Sequence, residues 1–411
     1  MITKIEALNY RCLRNVSQAL DPFHVLVGPN ASGKTTFLDV VAFLGKIVSA
    51  GLDEAVHERS PTPQDLTWGR IRDRFELAIE ASIPESLRTS PEIDTIRYQV
   101  GITTSAELGF AAETVLLFQA QPDEPAAQLA IFPIELEPRE TLLTKKKGQK
   151  TVVNKMLGGN DNFYSEAGKG WSTAYKLGPR KSALANLPED ESKFPAATWL
   201  KRLLTDSVQQ ITLNSAQMRL ASRPGQGRTF KPDGSNLPWV VAGLENNGTG
   251  SRERLADWAS HLATALPDLA AIRTIERPDD KHRYLMLSYR NNLEVPSWMA
   301  SDGTLRMLAL TLPAYLPDFR GIYLIEEPEN GIHPRAVETV FQSLSSVYDA
   351  QILVASHSPV VLSLAEPNSV LCFAKTEEGA TAIVRGSGHP ALRDWRGETN
   401  LGVLFAAGVL S

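Results

Sequence analysis

One short stretch of the sequence has the residue types and spacing of a phosphate-binding loop. Gly28, Gly33, Lys34 and Thr35 fit the pattern G-x-x-x-x-G-K-[ST]. Glycines let backbone N–H groups close around phosphate oxygens, the lysine reaches the terminal phosphates, and the threonine hydroxyl can ligate Mg²⁺. The pattern therefore predicts a nucleotide site whose contact residues are Gly28, Pro29, Asn30, Ala31, Ser32, Gly33, Lys34, Thr35 and Thr36.

Two adjacent acids follow an apolar strand pattern in the last third of the chain. In "GIYLIEEPENGIHP" (321–334), Glu326 and Glu327 come directly after Ile322, Tyr323, Leu324 and Ile325. Carboxylates at such a strand end can hold a metal ion and orient an attacking water. Glu326 is predicted to hold Mg²⁺, directly or through water, and Glu327 to polarise the water that attacks the γ-phosphate. An exposed acidic turn is the alternative.

A histidine ends the next apolar strand pattern, "QILVASHSPVVL" (351–362). His357 can donate a hydrogen bond to a γ-phosphate oxygen and so sense whether that phosphate is present. A helix predicted from Arg335 to Tyr348 would make the two strands parallel neighbours, so both acids and His357 leave the same sheet edge. Lys34, Glu327 and His357 are thus the predicted catalytic residues, with a structural role for His357 as the alternative.

Small polar residues precede a predicted helix in "SWMASDGTLRMLALTLPAYL" (297–316). Its apolar residues recur at helical spacing, and Ser301 or Asp302 can serve as the N-cap. This motif is weak by itself, but its position about twenty residues before the acidic strand indicates a role beyond that of a helix cap.

The elements that must position these residues fall into three segments. Residues 1–140 are predicted to form an ATPase lobe with a mostly antiparallel sheet, because alternating apolar residues recur along them. Residues 141–250 lose that periodicity and accumulate glycine, lysine and asparagine, which predicts an inserted, irregular or helical lobe. Residues 251–411 return to helical and strand patterns and form a C-terminal ATPase lobe. The antiparallel strands are predicted at 75–82, 95–102, 113–119 and 128–137.

Composition sets the broad class. The chain has 411 residues, 43% of them hydrophobic and 22% charged, and a formal net charge of −5. This balance disfavours a surface that is basic throughout, although Lys145, Lys146, Lys147 and Lys150 leave local DNA contact as an alternative to a solvated loop. Two cysteines cannot build a disulfide framework, and no segment has the pattern of a signal peptide or a membrane span. We expect a cytoplasmic protein without membrane contact.

Together these segments resemble the ABC-type ATPase heads of the RecF, OLD and SMC kind. The opening "IEALNYRCLRNVSQALDPFHVLVGPNASGKTTFLDVV" resembles that family's N-terminal strand pair and Walker A motif. The resemblance implies an α/β fold, a P-loop NTPase ABC-type head with a mainly parallel sheet, an N-terminal antiparallel β subdomain and an inserted lobe. It also implies ATP and Mg²⁺ as cofactors. The further motifs it implies are a signature at Ser301 to Thr304, a Walker B pair at Glu326 and Glu327, a D-loop at Asn330 to His333, and a switch histidine at His357.

The same resemblance implies further contacts and an oligomer. Arg11 matches a position that approaches the nucleotide phosphates in relatives, and Gln64 in "SPTPQDLTWGR" is the nearest candidate for the Q-loop glutamine at the metal. Such heads sandwich ATP between two subunits, so Ser301 and Gly303 would complete the site of a second copy in a homodimer or higher homo-oligomer. S-D-G-T and E-E-P replace the S-G-G-Q and D-E-P of transporter cassettes, which disfavours a transporter subunit.

Three functions remain open at this point. The leading one is a dimeric ATPase that acts as a sensor or switch in DNA repair or defence against foreign DNA and signals to a nuclease-like or toxin-like effector in trans. A stand-alone RecF-like DNA-binding repair ATPase is the second, and a small-molecule P-loop kinase is the third. The acids after Ser358 have no paired spacing suited to two metals, so the chain is not expected to be a nuclease itself. These acids are Glu366, Glu377, Glu378, Asp394 and Glu398.

Overall fold

The computed structural model describes residues 1–105, 107–121, 132–133, 139–168, 172–246, 250–317, 319–392 and 401–406. The chain forms two compact units. The first comprises Met1–Val208 together with the segment that begins at Pro367, and the second comprises Gln209–Glu366 together with the last helix. The strand predicted at 128–137 falls almost wholly outside the described residues, as do Asp394 and Glu398. The predicted domain boundaries at residues 140 and 250 stay predictions.

Strands, singly or in runs of up to six, are separated by helices along the described part of the chain. The strands are β1 (Ile2–Tyr10), β2 (Leu13–Ala19), β3 (Phe23–Val27), β4 (Arg74–Ser82), β5 (Thr95–Thr103), β6 (Gly109–Phe118), β7 (Lys150–Met156), β8 (Asp161–Tyr164), β9 (Ser172–Tyr175), β10 (Val208–Ile211), β11 (Leu269–Glu276), β12 (Arg283–Tyr289), β13 (Glu294–Pro296), β14 (Gly321–Glu326), β15 (Ala350–Ala355), β16 (Val370–Lys375) and β17 (Thr381–Arg385). The helices are α1 (Lys34–Ala50), α2 (Leu52–His57), α3 (Pro195–Asp206), α4 (Ser215–Arg219), α5 (Leu237–Asn246), α6 (Ser251–Leu262), α7 (Asp302–Thr311), α8 (Pro334–Ser345), α9 (Pro359–Leu364) and α10 (Leu401–Ala406).

The first unit contains an antiparallel sheet with the strand order β2-β1-β4-β5-β6-β7-β8-β9. As predicted, Phe75, Leu77 and Ile79 of β4 are buried. Glu76 between them is also buried, because its carboxylate accepts hydrogen bonds from the Thr141 hydroxyl (2.7 Å) and the backbone N–H of residue 142 (2.6 Å). Strands β4, β5 and β6 confirm the predicted antiparallel sheet.

Strands β7 to β9 lie in the segment whose weak periodicity predicts irregular structure. Buried carboxylates anchor that segment to the sheet. Glu113 of β6 is fully buried and accepts hydrogen bonds from Tyr98 (2.9 Å), Ser182 (2.6 Å) and the backbone N–H groups of residues 183 and 184. Asp161 pairs with buried Lys155 at 2.6 Å. Burial raises the pKa of Glu113 above its ordinary value. Because buried charged and polar side chains hold this segment, its sequence lacks the alternation of apolar residues by which strands are predicted.

The phosphate-binding loop is placed by a second group of strands in the first unit. β3 runs parallel to β16, with Val25 opposite Val370, and β16 pairs antiparallel with β17. Helix α1 follows the loop, and α3 packs on it so closely that a Cβ atom at Gly45 would lie 2.6 Å from the backbone oxygen of Leu204. The packing of β16 and α3 thus fixes both ends of the strand-loop-helix segment.

In the second unit, β14 and β15 are parallel neighbours, with Gly321 opposite Ala350 and Glu326 opposite Ala355. This confirms the predicted arrangement. The connecting helix α8 begins at Pro334 and ends at Ser345, three residues short of the predicted end at Tyr348. Strands β11, β12 and β13 form a separate antiparallel sheet. Nowhere in the described part of the chain does a helix have the length and apolar character needed to cross a bilayer.

Candidate functional site

The phosphate loop of the first unit has three residues with positive φ, which are Gly28 (149°), Ala31 (60°) and Gly33 (103°). A Cβ atom at Gly28 would lie 2.2 Å from the backbone oxygen of Phe373, and one at Gly33 would lie 2.2 Å from the Thr381 hydroxyl oxygen. Thr381 also donates a hydrogen bond to the backbone oxygen of Ser32 at 2.9 Å. The two glycines of the motif are therefore required by close packing as well as by backbone conformation.

Several features of this loop fit a bound phosphate group. The buried Lys34 ammonium donates to the backbone oxygens of Gly28 (2.9 Å) and Pro29 (3.0 Å), so its charge is held against the loop. Gly33, the N-cap of α1, makes no side-chain cap, and the first turn of that described helix carries no acid, so the helix end keeps its partial positive charge. The Ser32 hydroxyl is fully buried and has no hydrogen-bond partner among the described residues. A phosphate oxygen would satisfy this donor.

Arg11 and Gln64 lie on neighbouring segments of the same unit. Arg11 has a φ of 48°, and its backbone N–H donates to Leu66 at 3.0 Å. Its guanidinium lies 3.6 Å from Asp39 of α1. The Gln64 amide donates to the backbone oxygen of Thr104 at 2.6 Å. These contacts hold both side chains in place, and their predicted roles at the nucleotide and the metal stay predictions.

The predicted acids lie at the end of β14 in the second unit. Glu327 has a φ of 47°, and its backbone N–H donates to Ala355 of β15 at 2.8 Å. This tight turn brings a Glu327 carboxylate oxygen to 4.0 Å from Nε2 of His357. Gln210 donates to Glu326 at 3.3 Å. The structure therefore brings Glu327 and His357 together, as the parallel strands predict.

A second residue engages the Glu327 carboxylate. The Asn330 side-chain amide donates to its other oxygen, and the backbone N–H of Asn330 donates to the backbone oxygen of Glu327 at 3.0 Å. Glu327 is nevertheless 47% exposed and His357 33% exposed. Both side chains are thus oriented by neighbours while their reactive ends remain accessible to water or substrate.

The predicted signature segment touches the predicted D-loop within this unit. Ser301, and not Asp302, is the N-cap of α7, because its hydroxyl accepts a hydrogen bond from the backbone N–H of Thr304 at 3.1 Å. A Cβ atom at Gly303 would lie 2.7 Å from the backbone oxygen of Gly331. Gly303 is therefore needed for this close approach of helix and loop, whatever else it does.

Two residues that bear on these segments escaped the sequence analysis. Arg219 forms an ion pair with Asp302 at 2.6 Å and donates to the backbone oxygen of Ala300, which fixes the approach to Ser301. Glu329 binds the segment that carries His357. Position in the "EEPEN" turn was the only signal for Glu329, and no local pattern indicates Arg219.

Within the described ranges, no group of three or more His, Cys, Asp and Glu side chains is placed to hold a metal ion.

Two family models and one curated relative match parts of this sequence. Residues 160–363 match the family "AAA domain, putative AbiEii toxin, Type IV TA system", and residues 1–64 match the family "AAA ATPase domain". A protein of Mycobacteroides abscessus named "Antibiotic resistance protein" is 26% identical over 295 residues, which are 67% of this chain and 47% of that protein. The match thus spans about half the length of that curated relative.

Two solved structures share the fold. A structure of an SMC head bound to the C-terminal winged-helix domain of ScpA has a TM-score of 0.55 and 14% identity and covers 93% of this chain and 96% of its own. The SMC head of Pyrococcus furiosus, with an extended coiled coil and the C-terminal domain of ScpA, has a TM-score of 0.51 and 13% identity and covers 93% and 95%. The fold is that of an SMC head. The chain thus resembles AAA-type ATPases in sequence over residues 1–64 and 160–363, and SMC heads in fold.

Proposed function

We propose that the chain binds ATP with Mg²⁺, hydrolyses it, and uses ATP-dependent dimer formation to signal to a partner protein. The proposal of hydrolysis rests on Glu327 and His357, whose side chains lie 4.0 Å apart where two parallel strands end. The loop that carries Lys34 and the orphaned Ser32 hydroxyl supports binding of the triphosphate.

Each residue has a distinct task in this proposal. The Ser32 hydroxyl and the Lys34 ammonium bind phosphate oxygens, and Lys34 exchanges its backbone acceptors for them. Glu327 orients the attacking water and accepts its proton, and His357 donates a hydrogen bond to the γ-phosphate. Mg²⁺ would neutralise charge on the phosphates, and its proposed ligands are Thr35 and Glu326, with Gln64 as a further candidate.

The test of hydrolysis compares three variants. Glu327→Gln should keep ATP binding and lower turnover by about 10²-fold or more, because the amide keeps the shape but cannot accept the proton. Lys34→Ala should weaken ATP binding itself. Glu338→Gln changes an exposed acid of α8 and should leave both quantities unchanged. Turnover at the wild-type rate in Glu327→Gln would remove Glu327 from the mechanism.

The proposed dimer has a test that spares the fold of the subunit. Ser301→Asp retains a good N-cap for α7 but places a negative charge where the γ-phosphate of a second copy would bind. Ser301→Asn is the matched control, because asparagine caps equally well without charge. In the Glu327→Gln background, ATP should raise the sedimenting mass of the Asn variant and not of the Asp variant. Equal mass with and without ATP in both variants would contradict the sandwich dimer.

We further propose that the output is a partner effector acting in trans, in defence against foreign DNA or in DNA repair. The toxin-system description of the matched family and the name of the M. abscessus relative support a defence role. The similar SMC heads were solved with a domain of ScpA, which supports a partner protein on this fold. A pull-down with the Glu327→Gln variant, with and without ATP, should capture a nuclease-like or toxin-like protein only in the ATP-bound state.

A RecF-like role in direct DNA binding is the second candidate, and it is favoured by Lys145, Lys146 and Lys147, which are exposed before β7. If it holds, DNA should stimulate turnover of the purified chain. Replacing the three lysines by glutamine should abolish that stimulation and reduce the salt dependence of DNA binding. Stimulation without any co-purifying protein would favour this candidate over a sensor with an effector in trans.

A further inference from the structure

We propose that Glu329 is the positioning residue for His357 and that it acts through the backbone of the segment that follows β15. This inference rests on the proposed hydrolysis of ATP. Glu329 lies in the turn after β14, two residues beyond Glu327, where sequence reasoning assigned no role. Its side chain reaches across to the neighbouring parallel strand.

One oxygen of the Glu329 carboxylate accepts two hydrogen bonds from that strand's exit. Oε1 accepts from the Ser356 hydroxyl at 2.7 Å and from the backbone N–H of His357 at 3.0 Å. The Ser356 hydroxyl oxygen in turn accepts from the backbone N–H of Ser358 at 3.0 Å. Hydrogen bonds to an ionised acceptor are roughly twice as strong as neutral ones. Glu329 therefore holds three consecutive residues, with His357 in the middle.

These bonds fix the backbone position from which the His357 side chain extends. Glu327 is tied to the same exit by the bond from its backbone N–H to Ala355 at 2.8 Å. Two hydrogen bonds thus join the turn after β14 to the end of β15, one at Ala355 and one at His357. The His357 imidazole lies 4.0 Å from the Glu327 carboxylate. Without Glu329, the His357 backbone N–H loses its acceptor, and only the hydrogen bond at Ala355 still joins the two segments.

The other oxygen of Glu329 points to a functional reason for this carboxylate. Oε2 is buried and has no hydrogen-bond partner among the described residues. An unpaired buried acceptor is unfavourable for folding. Fixing a reactive histidine is a role that can offset this cost.

The experiment measures turnover and ATP affinity separately. Glu329→Ala should lower kcat by about 10²-fold, the effect of displacing a reacting group by about 1 Å, while the Kd for ATP changes by less than about twofold. Combining it with His357→Ala should give no further loss beyond His357→Ala alone, because both changes remove the same interaction. A purely structural role would instead give additive losses and weaker ATP binding.

Conservative variants and a spectroscopic signal complete the test. Glu329→Gln keeps an oxygen acceptor and should restore kcat to within about tenfold, since a neutral acceptor forms a weaker bond. In protein labelled with ¹⁵N-histidine, Glu329→Ala should shift the His357 amide proton upfield, and Glu329→Gln should shift it less. If the Ala variant does not fold, Glu329→Asp keeps the charge but shortens the reach, and should lower kcat with the same amide shift.

The outcomes separate this inference from the function on which it rests. A wild-type chain without ATP turnover would overturn both. Turnover that depends on Glu327 and His357 but is unchanged in Glu329→Ala would overturn the positioning role alone. An unmoved His357 amide signal in the Ala variant would also overturn it, because the proposed bond would then be absent in solution.

Discussion

The stability of helix α3 should depend on pH through one buried carboxyl group. Glu166 is 1% exposed, and its two carboxyl oxygens accept hydrogen bonds from the backbone N–H groups of Ala196 (2.9 Å) and Ala197 (2.8 Å) at the start of α3. Burial nevertheless raises the pKa of Glu166 from 4.5 to about 7, because desolvation of the charge outweighs these bonds. The folded chain therefore holds a proton that the unfolded chain releases.

The sign and size of the effect follow from that pKa. A carboxyl group with a raised pKa in the folded state contributes stability that is complete below about pH 4.5 and is lost as the pH rises through about 7. The full contribution is about 3 kcal/mol, and most of it is lost between pH 5 and pH 8. Glu166→Gln cannot ionise, so its stability should lack this component.

Hydrogen exchange of the Ala196 and Ala197 amides measures the effect locally. Wild type and Glu166→Gln are compared at the same pH, so intrinsic exchange rates and the titration of other groups cancel. From pH 5 to pH 8, protection of these amides in the wild type should fall relative to the variant by about 10²-fold, which corresponds to about 3 kcal/mol. An unchanged ratio at the two pH values would refute the reasoning.

Two substitutions test packing in the two units. Gly28→Ala should lower the free energy of unfolding by about 1–3 kcal/mol and weaken ATP binding, because φ is 149° and the new Cβ would lie 2.2 Å from the backbone oxygen of Phe373. Urea unfolding and ATP titration measure these effects, and full retention of both would contradict the tight packing. Thr311→Val should cost about 1–3 kcal/mol, because the buried Trp258 indole N–H, which donates to the Thr311 hydroxyl at 2.8 Å, would lose its acceptor. Thr311→Ser keeps the hydroxyl and serves as the control, so equal losses in the two variants would argue against the hydrogen bond.

The sequence predicted those parts of the molecule that local patterns encode. Apolar runs with acids or histidine at their ends predicted β14 and β15 as parallel neighbours, and the capping residues predicted the start of α7 close to Ser301. Strands β7 to β9 were not predicted, because buried polar pairs such as Asp161 with Lys155 take the place of apolar alternation there. The residues after β9 are held to the sheet by Glu113, whose partner Ser182 is 69 residues away, a contact that no local pattern encodes. Glu329 was missed for the same reason, since its hydrogen-bond donors Ser356 and His357 are 27 and 28 residues away.

The phosphate loop depends on residues that the ribosome adds long after the loop itself. Ser32 and Thr381, whose hydrogen bond closes the loop against β17, are 349 positions apart in the chain. At roughly 5–20 residues per second, translation takes about 20–70 s to cover that distance. A nascent chain therefore displays the motif without the strands that shape it. Nucleotide binding should be a late event in biosynthesis, and the unfinished lobe should be a client for chaperones until β16 and β17 have been made.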